Sequence, residues 1–134
     1  MHVAPPPFHG ELSALDNIER GRLGEDRARA HLESKGYRFR EANYRARLGE
    51  LDLVMEDGEV IVFVEVRTRR SADFGLPQET IGFRKRQRVV RTALDYLKAR
   101  RLIGKDLRFD VVCIGPAGLE HIPNAFGAER SYTL

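Results

Sequence analysis

The sequence predicts a single α/β domain built on a mixed sheet. Three observations carry this expectation. Apolar residues at helical spacing precede a set of strand-like runs, and an Asp-Gly turn signal folds two of those runs into a hairpin. A second helical segment then separates the hairpin from a further strand, which permits a parallel crossover. A length of 134 residues fits one domain with a modest core.

Residues 1–12, with Pro5-Pro6-Pro7, read as an extended, disordered arm, leaving 13–134 as the domain. A first helix is expected from near Ser13 to just before Gly36, with an inward stripe of Ala14, Ile18, Gly21, Glu25, Ala28 and Leu32. Gly21 and Gly24 weaken it. Tyr37 to Arg47 reads as the first strand, and the hairpin follows. With Asp57 and Gly58 as a type I′ loop, Glu56 faces Glu59, Leu53 faces Val62, Asp52 faces Phe63 and Glu50 faces Glu65. One face then holds Glu50, Asp52, Val54, Ile61, Phe63, Glu65 and Arg67. The other holds Leu51, Leu53, Met55, Val60, Val62, Val64 and Val66 and is wholly apolar. A four-residue loop keeps this parity, whereas a three-residue loop puts Asp52 and Glu65 on opposite faces. Arg70 to Pro77 reads as a loop beside the charged end of the hairpin. Arg84 to Arg101 reads as the second helix, its inner side Val89, Val90, Ala93, Leu94 and Leu97. Leu107 to Ile114 makes a further strand, and Leu119 to Ile122 a last short one after the Gly115-Pro116-Ala117-Gly118 turn. Asp110 interrupts the first of these, as a salt-bridge or capping residue.

Acids on buried strands call for a physical account, because unpaired buried charge is costly and like charges placed opposite each other weaken a sheet. Glu50, Asp52 and Glu65 beside Arg67 form such a group. One reading gathers the acids around Mg²⁺, which takes oxygen ligands from one or two carboxylates and fills its shell with water and phosphate. The other leaves Glu50 and Asp52 in solvent at the strand end and pairs Glu65 with a basic residue. Glu25, on the inward stripe, either adds a further ligand or is satisfied by a basic neighbour or a backbone amide.

From Arg84 to Arg101 eight residues are basic, and Asp95 is the single acid. Arg84, Arg88 and Arg91 recur at helical spacing, with Lys85 beside them; Arg45 and Arg47 enter the charged end of the hairpin, and Arg67, Arg69 and Arg70 leave it. Such clusters are the electrostatic footprint of nucleic-acid binding. No apolar run is long enough to span a bilayer, so a cytoplasmic protein without membrane contact is expected. Cys113 alone cannot form an internal disulfide, and His2, His9, His31 and His121 lack zinc-ligand spacing.

An acid on one strand and Glu-x-Lys on the next is the pattern of the PD-(D/E)xK nuclease superfamily, which this chain resembles while departing from it with Arg67 in place of the lysine. The ordered set Gly24-Glu25, Gly36-Tyr37, Asn43-Tyr44-Arg45, Gly49-Glu50-Leu51-Asp52, Phe63-Val64-Glu65-Val66-Arg67, Gly75, Lys85, Ala93, Tyr96-Leu97, Arg108-Phe109-Asp110-Val111 and Asn124-Ala125-Phe126 resembles the YraN-like family of small bacterial proteins related to Holliday-junction resolvases. The resemblance implies a restriction-endonuclease-like α-β-β-β-α-β core, here with a short extra C-terminal strand. It places Asp52 and Glu65 on metal-ligand positions, Glu25 on the first-helix acid of the resolvase branch, and Arg67 on the catalytic lysine position. Arginine stays protonated and offers a rigid fork of donors, so phosphate binding survives this replacement and a role as base does not. The expected function is a nucleic-acid-binding, Mg²⁺-dependent endonuclease (Mn²⁺ as substitute) acting on structured or branched DNA rather than RNA. Its catalytic group is Asp52, Glu65, Arg67, Glu25 and Glu50, and resolvase analogy suggests a homodimer. The alternative is a catalytically silent module that binds nucleic acid or a protein.

Overall fold

A computed structural model describes residues 17–69 and 81–127. The order is α1 (Asn17–Ser34), β1 (Arg38–Ala46), β2 (Gly49–Asp57), β3 (Val60–Thr68), α2 (Phe83–Ala99), β4 (Leu107–Gly115) and β5 (Gly118–Phe126). The N-terminal arm, the expected helix start near Ser13 and the Arg70 to Pro77 loop lie outside the described residues. All five strands form one sheet in chain order. Neighbours run antiparallel except β3 and β4, which are parallel and joined through α2. This is the mixed α/β sheet the sequence predicts, in the order of a restriction-endonuclease-like core. The last strand is longer than expected, at nine residues. Its polar His121, Pro123 and Asn124 and the left-handed Asn124 (φ 53°) hide it from a pattern search.

One helix covers each face. Ala28 and Leu32 of α1 bury Leu53, Met55, Val62, Val64, Val112 and Ile114. On the opposite face, Val89, Val90, Ala93, Tyr96 and Leu97 of α2 pack on Leu51, Val54, Ile61, Phe63 and Phe109. Leu94, expected on the inner side of α2, is instead 46% exposed. Tyr96 takes the buried place, its hydroxyl accepting from Arg40 Nε at 3.1 Å, and Thr92 buries its hydroxyl by donating to the Arg88 carbonyl.

The hairpin register differs from expectation by two residues. Asp57 pairs with Val60 and Leu53 with Val64, so the loop is Gly58-Glu59 and not Asp57-Gly58. Gly58 has φ 59°, and Glu59 is not left-handed. A glycine at the first loop position alone is the type II′ pattern, which replaces the type I′ loop the sequence suggested. Glu50 therefore does not face Glu65, nor Asp52 Phe63. Side-chain alternation also breaks at Asp52. Leu51 and Val54 belong to the α2 face and Leu53 and Met55 to the α1 face, so the second face is not the uniform apolar row expected. Across β1, Ala42 lies with the α1 face and Tyr44 with the α2 face, and Asn43 between them has φ 56°. The two strands turn over together at Asn43 and Asp52.

Gly24 sets how closely α1 approaches the sheet. A Cβ there would stand 2.8 Å from Thr68 Cγ2 and 3.6 Å from Val66 Cγ1. Gly24→Ala gains up to ~1 kcal/mol of helix propensity, but overpacking against a β-branched neighbour costs ~1–3 kcal/mol. The expected outcome is a net loss of stability, read as a lower urea midpoint with unchanged slope; a raised midpoint would contradict the close approach.

Asp110 is wholly buried at the start of β4 and fully satisfied. Arg108 donates to both of its oxygens (2.9 and 3.0 Å), the Asn124 amide donates to Oδ1 (3.0 Å), and His121 Nε2 lies 2.7 Å from Oδ2. Arg108 also reaches Asp57 and Tyr37 Oη, tying the hairpin end to β4 and β5. Burial alone would raise the Asp110 carboxyl, but Arg108, the Asn124 amide and His121 hold it below its ordinary value. Its role is the structural one expected.

Candidate metal and nucleic-acid site

The strands β2 and β3 carry the acids to the end of the hairpin away from its loop. Asp52 and Glu65 follow directly on the last ladder pair, Leu53 with Val64. There the Val66 N–H donates to Asp52 Oδ2 at 3.0 Å, so a side chain replaces the backbone partner that the broken alternation removes. Glu65 is 2% exposed and faces α2, where Lys85 Nζ lies 3.4 Å from its Oε1. The close packing of Gly49 on α2, where a Cβ would meet Thr92 Oγ1 at 3.0 Å and Arg88 Cβ at 3.8 Å, brings the same part of that helix over the start of β2.

Glu25 approaches from the α1 side. Burial, then the charges of Asp52 and Glu50, raise its carboxyl to about 7, against a hydrogen bond from Asn43 that lowers it. Asp52 is raised chiefly by burial and also by Glu50, while the Val66 amide, Lys85 and Arg67 oppose the shift. Glu65 is raised to about 8 by burial and by the Asp52 charge, with Lys85 and Arg67 pulling it down. Two helices and two strands thus bring Glu25, Glu50, Asp52, Glu65, Arg67 and Lys85 into one electrostatic unit. The raised carboxyls of Glu25, Asp52 and Glu65, each shifted chiefly by burial, mark this cluster as a candidate functional site.

Asp52 and Glu65 fit a hard divalent cation, which takes one or two carboxylates and leaves room for water and phosphate. Among the described residues no three acids, histidines or cysteines are grouped closely enough to hold a metal ion by themselves. Glu25, expected as a further ligand, and Glu50 therefore do not complete a protein-only cage with the pair.

The basic residues divide. Lys85 and Arg88 stand over the acidic end, Lys85 partly buried, and Arg84, Arg88 and Arg91 are all exposed on α2. The first turn of α2 holds no acid and carries Arg84, Lys85 and Arg86, against the preference of a helix N-terminus for negative charge. Arg45 lies 3.8 Å from Glu50 in a largely exposed pair, and Arg47 is exposed in the following turn. Arg69 packs on Gly115 and bonds the Cys113 thiol; Arg70 lies outside the described residues. Arg100, at the far end of α2, is held by Glu41 at 2.8 Å. Tyr37 and Tyr44 are engaged by Arg108 and Asp95, whereas Phe83 is 51% exposed. Sequence reasoning missed Asn43 as a member of the site and, although it named Lys85 as a phosphate-binding candidate, missed its contact with Glu65. Asn43 carries no signal beyond the tolerance of asparagine for left-handed backbone, and the place of Lys85 beside Glu65 depends on the crossover.

Fold and site together define an α/β protein with an acidic cluster around buried Glu65 at a sheet end, covered by a basic helix. The chain belongs to the uncharacterised protein family UPF0102, the YraN-like proteins, whose family model matches residues 24–114. That span contains Glu25, Asp52, Glu65, Arg67 and Lys85. The chain is 47% identical over 114 residues to a UPF0102 protein of Syntrophus aciditrophicus, covering 82% of this chain and 90% of that one. It is 50% identical over 113 residues to one from Moorella thermoacetica, covering 80% and 94%. It is 41% identical over 118 residues to one from Dictyoglomus turgidum, covering 84% and 100%. No helix among the described residues is long and apolar enough to cross a membrane.

Proposed function

We propose that this protein is a cytoplasmic nucleic-acid-binding endonuclease that uses Mg²⁺, or Mn²⁺ in its place, to cleave structured or branched DNA. The observation that carries the reading is the pairing of half-buried Asp52 with buried Glu65 under the basic start of α2. Two desolvated carboxylates with raised pKa are poor structural design and a good receptor for a divalent cation. A bound Mg²⁺ supplies a lowered-pKa water and charge stabilisation at the scissile phosphate. Asp52 and Glu65 hold the ion, and Glu25 and Glu50 set the negative potential that draws it in. Arg67, whose charge acts on both carboxylates, stabilises the phosphate without serving as a base. Arg84, Lys85, Arg88 and Arg91 of α2, with Arg45, Arg47, Arg69 and Arg70, engage the phosphate backbone, which gives register without reading sequence. The branched substrate, the preference for DNA and a two-fold dimer rest on the resolvase resemblance.

One observation favours a second reading. Lys85 already pairs with Glu65, as a silent binding module would need. Labelled four-way junction, flap, duplex and single-stranded DNA, incubated with Mg²⁺ or with EDTA, separate the two. Cleavage is expected only with metal and is expected to fall at least ~10²-fold in Asp52→Ala and Glu65→Ala. Salt-sensitive binding without cleavage, equal in all three proteins, would establish the silent module.

A further inference from the structure

The ion pair between Lys85 and Glu65 is asymmetric. The carboxylate side chain is 2% exposed, while the lysine side chain is 34% exposed. The acid is fixed in β3, between the parallel β4 ladder and α2, whereas the ammonium ends a flexible four-carbon stem rooted on the first turn of α2. Lys85 can therefore leave the pair by rotating its stem, and Glu65 cannot. Lys85 also acts on Asp52, so one ammonium serves both members of the acidic pair. A divalent cation entering between Asp52 and Glu65 would compete for the same oxygen and repel the ammonium. The neighbouring helical positions, Arg84 and Arg88, are exposed, so the stem is flanked by basic groups at the solvent edge.

We propose that Lys85 is a displaceable partner of Glu65: it stays on that carboxyl while the acidic pair holds no divalent cation, and is handed to a substrate phosphate when the cation enters. This rests on the metal reading above, and it assigns Lys85 a position that depends on metal occupancy. In the metal-free protein the lysine keeps the buried acids tolerable. In the loaded protein the same charge is added to the phosphate-binding face, so metal binding and nucleic-acid binding become positively coupled. A permanent backbone contact would show no such coupling.

Ca²⁺ serves as the probe, with binding heat measured on the full chain and lysine exposure read by acylation and mass spectrometry. Acylation of Lys85 is expected to rise severalfold when Ca²⁺ is added, while the exposed Lys98 stays constant, and the rise is expected to vanish in Asp52→Asn. In Lys85→Gln, the loss of duplex affinity relative to wild type is expected to be about tenfold greater in Ca²⁺ than in EDTA, the size of one lost charged phosphate contact. Calcium heat with unchanged Lys85 acylation would overturn this proposal and leave the metal reading intact. Equal loss of DNA affinity in EDTA and in Ca²⁺ would also overturn it, making Lys85 a permanent contact. Absence of calcium heat in the wild type would remove the metal reading and this proposal with it.

Discussion

Glu65→Gln is expected to abolish metal-dependent cleavage and, in the same protein without metal, to raise stability at pH 8.5 by about 1–4 kcal/mol, because the neutral amide is spared the cost of ionising a buried group. Both effects have one cause. Burial and the Asp52 charge raise the Glu65 carboxyl to about 8, so the folded protein holds a proton there that the unfolded chain releases near its ordinary 4.5. Between those values the native state binds more protons than the unfolded state, and stability falls as pH rises. The contribution of protonated Glu65 is complete below about pH 4.5 and lost as pH climbs through about 8. Glutamine keeps the shape and removes the ionisation. The gap between variant and wild type should therefore be small at pH 5 and widest at pH 8.5, read by urea unfolding in EDTA. A variant that is less stable than wild type at pH 8.5, or a gap equal at both pH values, would show that Lys85 fully compensates the acid. Under the proposed metal function, stability given up at this site is the usual trade between activity and stability.

The largest loss of stability is expected from Asp110→Asn, about 3–5 kcal/mol, because it strips the largely buried Arg108 guanidinium of its two-bond partner and leaves Asp57 as its carboxylate. Arg108 has a side chain only 20% exposed and donates two bonds to Asp110. Removing both charges together, as Arg108→Met with Asp110→Leu, should cost less than the single change, since no orphaned charge remains. The acid dependence follows from the depressed carboxyl. Its stabilisation is present above about pH 4 and disappears as pH falls through the lowered native value. Chemical unfolding at pH 7 and pH 3 tests both statements. A single variant within ~0.5 kcal/mol of wild type at pH 7, the range of ordinary surface changes, would place the network outside the stability of the fold.

The elements of the fold were legible because each rests on local chemistry. The helical spacing of Ala28 and Leu32, the β-branched run from Val60 to Val66 and the glycine-marked hairpin all point to the states they adopt. Boundaries and registers were less legible. Asp57-Gly58 reads as a type I′ loop, yet Gly58 takes the first loop position and shifts every cross-strand pair by two residues. The even shift preserves parity, which is why Asp52 and Glu65 still come together. The acids of the site could be found because a carboxylate within an apolar strand demands a partner. The partner itself could not, since Lys85 reaches Glu65 across 20 residues of chain and a helix whose docking follows from the parallel β3–β4 pairing. Leu94 was misplaced because Tyr96, with an Arg40 partner for its hydroxyl, fills the inner row better than its polarity suggests.

The left-handed residue in β1 limits what can occupy that position. Few residue types accept φ near 56° without strain, chiefly glycine, asparagine and aspartate. Glycine would leave Glu25 without its amide donor, and aspartate would set another negative charge beside an acid already raised by its neighbours. Of that short alphabet only asparagine meets both demands, one made by the backbone and one by the charge of the site. A position on the outermost strand, exposed and seemingly free to vary, is thereby tied to chemistry on α1 and β2.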